Sequence, residues 1–176
     1  MKNLSTKIRQ NSMPYSVLFL SLSLIFGYVE ALLPLNIGYI GVKIGLSNII
    51  TILALKFLTV KRTFVINLLR LIILGILFSN IIRFFISVSG FLISFFVMVL
   101  MLNVLNRSII ISSIFGGIFH NIGQILAVAF FNFNPDNYYA IFSLLPIYIV
   151  IGAITGLVIG LISNFLYKVM IKVLIE

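Results

Sequence analysis

An all-α, polytopic membrane bundle is the fold class this sequence predicts, and three observations carry it. Hydrophobic residues make up 62% of the 176 and charged residues 9%, against roughly 45–50% and about 25% in soluble domains. A water-soluble fold would therefore expose far too much apolar surface. The apolar stretches are long and continuous, without the alternation of a barrel strand, which selects helices. Most of the cations fall between or at the ends of those stretches and favour alternate connections, as the positive-inside rule requires. Six spans follow, each near the ~20 residues that cross about 30 Å of hydrocarbon: about 15–33, 44–59, 64–81, 84–104, 109–131 and 143–167. No large polar segment lies outside them, so 1–176 reads as a single integral membrane domain.

The first span follows a basic stretch with Lys2, Lys7 and Arg9. Its length and the lack of an A-x-A-like site argue against a cleaved signal peptide. Ser23, Gly27 and Ala31 recur every fourth residue in it, a line of small side chains on one face where another helix backbone can approach. That line suits packing inside the bundle or docking of a separate membrane subunit. The connection at 34–43 is long and bears Gly, Pro and Asn, a place where a lid could form. Span two opens beside Lys43 and carries Asn48; a short connection with Lys61 and Arg62 leads to span three, which holds Asn67 and Arg70 at i and i+3. A buried arginine needs a partner or water, so this pair reads as a polar lock. Span four starts after Arg83, and the short connection at 105–108 carries Arg107.

Span five is the most informative stretch. It is apolar enough to cross a bilayer, yet it sets His120, Asn121 and Gln124 together with Gly116, Gly117 and Gly123. Imidazole and amide groups lose hydration in hydrocarbon and must recover it from protein, water or ligand, so they face a bundle interior or a cavity. His120 and Gln124, at i and i+4, share a face. After the connection at 132–142, span six carries Gly152, Gly156 and Gly160 on another small-residue line.

Placing the N-terminus in the cytoplasm puts Lys2, Lys7, Arg9, Lys56, Lys61, Arg62, Arg107, Lys168 and Lys172 on that side, nine of the twelve basic residues. Lys43 and Arg83 fall on the other side and Arg70 within a span, so both termini are expected in the cytoplasm of a multi-pass protein of the cell membrane. The net charge of +9 is thus a matter of topology, not of nucleic-acid binding. Glu30, Lys43, Asn48, Arg83, His120, Asn121 and Gln124 all fall in the outer half, where they could line one outward-facing pocket for a small molecule.

Catalysis finds little support. Holding Mg²⁺ against a diphosphate takes several carboxylates, whereas Glu30, Asp136 and Glu176 are the only acidic residues and lie scattered. Neither a Walker-type glycine loop nor a Ser/His/Asp order is present. With no cysteine, thiolate metal sites and cysteine nucleophiles are excluded. No enzyme activity, metal or cofactor is expected of the chain itself.

The run Gly38–Thr51, GYIGVKIGLSNIIT, resembles the G-x-K-L-G-L-A-N-I-V-T stretch of the Gx transporter family, also known as heptaprenyl diphosphate synthase component I. Arg70 and Gly75 match its R-x4-G, Ser87–Gly90 its S-x-x-G, and Gly117, His120, Asn121, Gly123 and Gln124 its G-x-x-H-N-x-G-Q, while Pro146 and Gly152 fit its final helix. Ile44 and Ser47 stand where Leu and Ala are usual. The resemblance, over about 27–160, implies a six-helix protein similar to the substrate-binding S components of energy-coupling-factor vitamin transporters. Such a protein binds a micronutrient from outside and works with a transmembrane coupling subunit and cytoplasmic ATPases. In that scheme Ser23, Gly27 and Ala31 form the docking face, the 34–43 loop helps close the pocket, and a vitamin, flavin, quinone precursor or prenyl diphosphate is the ligand. The family's other name implies instead a non-catalytic membrane subunit of a polyprenyl diphosphate synthase in menaquinone biosynthesis. A third expectation is a membrane anchor of a flavin-linked redox complex.

Overall fold

A computed structural model describes residues 12–32, 45–131 and 136–175. The helices are α1 (Ser12–Leu32), α2 (Leu46–Phe57), α3 (Val60–Phe78), α4 (Ile81–Val99), α5 (Ile109–Phe131), α6 (Asp136–Ser143) and α7 (Leu145–Ile175), and α4 runs on into a π-helical turn at Leu100–Val104. No strand occurs among the described residues. The fold is all-α.

Four helical stretches are long and apolar enough to cross a membrane: Met13–Leu32, Ile81–Val104, Ile109–Phe131 and Tyr138–Val173. They coincide with the expected spans at 15–33, 84–104, 109–131 and 143–167, and the chain is a membrane protein. The expected spans at 44–59 and 64–81 take a different form. α2 has 12 residues, about 18 Å at 1.5 Å per residue, well short of about 30 Å of hydrocarbon. α3 has 19 residues, about 28 Å, and it carries Lys61, Arg62 and Arg70. The connection expected at 132–142 contains α6, because Ile141 is buried in a small cluster with Ile125, Ala129 and Tyr148.

The short α2 is the center of the core. Ile49, Ile50, Ile52, Leu53, Ala54, Leu55 and Phe57 are all buried, as expected of a helix apolar all round and surrounded by others. Phe19 of α1 stacks on Phe57 at 6.4 Å between centroids, and Tyr167 of α7 meets the same ring at 5.5 Å. One helix thereby ties the first and last spans together.

The long helices associate by backbone approach. α5 packs most extensively on α7 and α4. A Cβ on Gly117 would meet the Gly152 carbonyl oxygen at 2.3 Å, one on Gly156 the Ser113 oxygen at 2.6 Å, and one on Gly160 the Ile110 Cα at 2.9 Å. The glycine line of the last span is therefore consumed inside the bundle, against α5. Between α4 and α5 a Cβ on Gly123 would meet the Ser89 oxygen at 2.9 Å, and Ser89 Oγ donates to the Gly123 carbonyl at 2.9 Å. Without a hydrophobic drive between helices in lipid, such close contact and such hydrogen bonds supply the association energy.

Candidate functional site

α5 presents Ser113, Gly116, Gly117, His120 and Asn121 along one stripe at spacings of three and four residues. With Met98 of α4, Thr155, Gly156 and Ile159 of α7, and Gly45 and Asn48 at the start of α2, this stripe lines a cavity of about 20 Å³. That volume holds about one water. The small residues keep the walls close and the polar side chains give them donors and acceptors.

Neighbours fix each polar group. Asn121 is buried and its Nδ2 donates to the Tyr148 carbonyl of α7 at 2.8 Å. His120 is half-buried, and Gln124 is buried one turn further on. A Cβ on Gly90 of α4 would lie 2.9 Å from Gln124 Cγ and 3.0 Å from His120 Cε1, so the bare glycine is what lets both side chains seat against α4. Thr155 satisfies its hydroxyl on the Ile151 carbonyl at 2.9 Å.

The α2 end of the cavity is held from outside it. Gly45, the residue before α2, has φ +83° and so lies in the left-handed region that favours glycine. It offers the helix no side-chain cap. Glu30 of α1 does that work instead: its Oε1 accepts the Gly45 N–H, and its Oε2 accepts the Ser47 hydroxyl at 3.2 Å. A carboxylate suits the positive end of a helix dipole. Arg70 of α3 is within electrostatic reach of Glu30, lies alongside Gly27 and is 6% exposed. Its Nη1 has no hydrogen-bond partner among the described residues. One turn earlier, Asn67 Oδ1 accepts from Thr51 Oγ1 of α2 at 2.7 Å and its Nδ2 donates to the Thr63 carbonyl at 2.9 Å. Asn67 thus joins α3 to α2, as a polar lock should.

Of the residues the sequence nominates, Asn48, His120 and Asn121 share the cavity, and Gln124 packs beside His120. Glu30 reaches the cavity's edge only through Gly45. Arg83 is separate: its side chain is exposed at the start of α4, where its backbone N–H is capped by Asn80 Oδ1 at 2.8 Å. Lys43 lies outside the described residues. On the small-residue line of α1, Ser23 and Gly27 are buried, Gly27 beneath Leu74 and Arg70, and Ala31 is exposed. Bundle packing thus takes up two of the three residues nominated for docking. Gly45, Ser113 and Thr155 were not nominated. Ser113 repeats the His120 face seven residues earlier, a periodic signal that polarity alone does not raise.

The heptaprenyl diphosphate synthase component I family matches residues 19–166, which include every described residue of the cavity. The chain belongs to the heptaprenyl diphosphate synthase component I family. Its description names one component of a larger assembly, and the chain itself is not the catalytic one. No curated protein and no solved structure matches the chain. Among the described residues no three His, Asp or Glu side chains gather in a way that could hold a metal ion.

Proposed function

We propose that this member of the heptaprenyl diphosphate synthase component I family is a substrate-binding membrane subunit, working as an S component works in an energy-coupling-factor importer. It captures a small polar molecule in an outward-facing pocket of a six-span bundle in the cell membrane with both termini cytoplasmic. The observation that carries this reading is the shared cavity of Asn48, His120 and Asn121, drawn from two helices. Amide and imidazole groups on facing helices, with three glycines beside them, give a ligand hydrogen bonds and room once the helices part. Reorientation is driven by partner ATPases, reached through a coupling subunit that docks on the exposed side of α1 around Ala31.

Among the described residues the cavity lining contains no Lys or Arg. Arg70 is buried against Gly27 and Arg83 is exposed at the start of α4, neither in the lining, so on the described residues a diphosphate, which calls for clustered cations, fits this pocket less well than a neutral or zwitterionic heterocycle. The family description supports a second reading, in which the chain is the non-catalytic membrane subunit of a polyprenyl diphosphate synthase in menaquinone biosynthesis. A thermal-shift screen of purified protein against vitamins, flavins, quinone precursors and prenyl diphosphates separates the two. A micronutrient hit at 100 times its Kd raises stability by about 2.7 kcal/mol, and the rise is lost in His120→Ala and Asn48→Ala. Stabilisation by prenyl diphosphate alone, or stimulation of an added synthase, establishes the second reading instead.

A further inference from the structure

The helices fall into two groups by what bonds them. α1, α2 and α3 are joined by side-chain hydrogen bonds, from Glu30 to Gly45 and Ser47 and from Thr51 to Asn67. α4, α5 and α7 are joined by glycine-mediated backbone contact, reinforced by hydrogen bonds from Ser89 to the Gly123 carbonyl and from Asn121 to the Tyr148 carbonyl. The cavity lies between the groups: Gly45 and Asn48 come from the first and every other lining residue from the second. At about 20 Å³ it holds a water and nothing larger, so any ligand enters only when one wall withdraws. The α5–α7 wall cannot withdraw easily, since Gly117, Gly152 and Gly156 hold it at backbone distance. The α2 wall can at its first turn, the only part of it that lines the cavity: Ile49 and Ile50 behind it are packed in the core, and among the described residues the side-chain hydrogen bonds that hold Gly45 and Ser47 from another helix come from Glu30.

We infer that Glu30 is a positioning residue, the latch that holds the first turn of α2 over the cavity, and not a ligand contact. Both of its carboxylate oxygens are already committed, to the Gly45 N–H and the Ser47 hydroxyl. Gly45 itself lines the cavity, so releasing the carboxylate frees the residue that forms the wall. Its φ of +83° gives the turn a conformation that a glycine adopts and leaves at little cost. This deepens the pocket reading and rests on it.

The absence of native cysteine allows a test that needs no ligand. Ser113→Cys puts a thiol in the cavity wall, and Ser94→Cys puts one in the α4 core, 1% exposed and away from the cavity. Both are reacted with N-ethylmaleimide in detergent. Adding Glu30→Ala is expected to raise the rate at position 113 about tenfold, an opening equilibrium shifted by ~1.4 kcal/mol, and to leave position 94 unchanged. Glu30→Gln keeps a carbonyl oxygen for the Gly45 N–H, so it should bring the rate back to within about threefold of the parent, the worth of one intramembrane hydrogen bond. No acceleration at 113, equal acceleration at 94, or no rescue by Glu30→Gln overturns the latch. Should Glu30→Ala fail to fold, Ser47→Ala removes one of the two bonds and is expected to accelerate position 113 alone by about threefold. A working latch in a protein that binds none of the screened compounds would sink the pocket reading and keep this one.

Discussion

At Gly117 and Gly75 the same substitution meets different neighbours. A Cβ on Gly117 would lie 2.3 Å from the Gly152 carbonyl oxygen, part of a helix backbone that cannot step aside; a Cβ on Gly75 would lie 2.4 Å from Phe84 Cδ2, the edge of a ring that can turn. Gly117→Ala is therefore expected to cost about 1–3 kcal/mol through overpacking and to lower the thermal midpoint of the solubilised protein. Gly75→Ala should change that midpoint much less, and equal losses would show that the α5–α7 contact is looser than described. Some of the residues at the cavity are legible in the sequence and some are not, for one reason. His120, Asn121 and Gln124 stand out because an amide or imidazole carries both donors and acceptors, more than its own helix can satisfy. Thr155 is silent because its hydroxyl bonds the Ile151 carbonyl within the helix, which makes a lining threonine look like any other.

At the scale of the element, α2 separates expectation from structure most clearly. The apolar run at 44–59 reads as a span because hydropathy reports what surrounds a residue, not whether that is lipid or protein. α2 is two residues shorter than that run at each end, and its start is set by the left-handed Gly45 and by a carboxylate 15 residues back in the chain, a tertiary arrangement that no local pattern encodes. Burial in protein makes α2 sensitive where a lipid-facing helix is tolerant. Ile52 is 0% exposed, so Ile52→Ala should cost roughly 2–5 kcal/mol, while Ile76→Ala, at a position 79% exposed, should cost little. Reversible unfolding in mixed micelles measures both, and a tolerant Ile52 would mean that α2 faces lipid. The α2–α3 lock has its own signature. Thr51 and Asn67 share a 2.7 Å hydrogen bond with both residues buried, and a double-mutant cycle of Thr51→Val with Asn67→Ala should return a coupling of about 0.6 kcal/mol, up to ~1.7.

At the scale of the molecule, hydropathy made the all-α membrane class legible, and four of the six expected spans have helices to match, because 62% apolar content leaves few alternatives. Whether α3 crosses is the harder question, and the three cations on it decide how the test is built. Lys61 and Arg62 sit in its first turn, and Ile81 opens the next helix just beyond its other end. If α3 spans, these positions lie on opposite faces of the bilayer, about 28 Å apart along the 19-residue helix. From the charge distribution, Lys61 is expected on the cytoplasmic side. Lys61→Cys and Ile81→Cys both replace exposed side chains, Ile81 at 73%, and the native chain supplies no competing thiol. A membrane-impermeant maleimide added to intact cells should label Ile81→Cys and reach Lys61→Cys only after permeabilisation. Labelling of both from one side would mean that α2 and α3 together form a re-entrant unit resting on the other spans. Irregular or broken helix at membrane depth is tolerated where protein or a cavity surrounds it, and the buried faces of α2 and Arg70 satisfy that condition equally well. The latch does not depend on which holds: Glu30 lies near the far end of α1, itself long and apolar enough to span, so with a cytoplasmic N-terminus the Gly45 turn opens toward the exterior whether α3 crosses or α2 and α3 re-enter from that side.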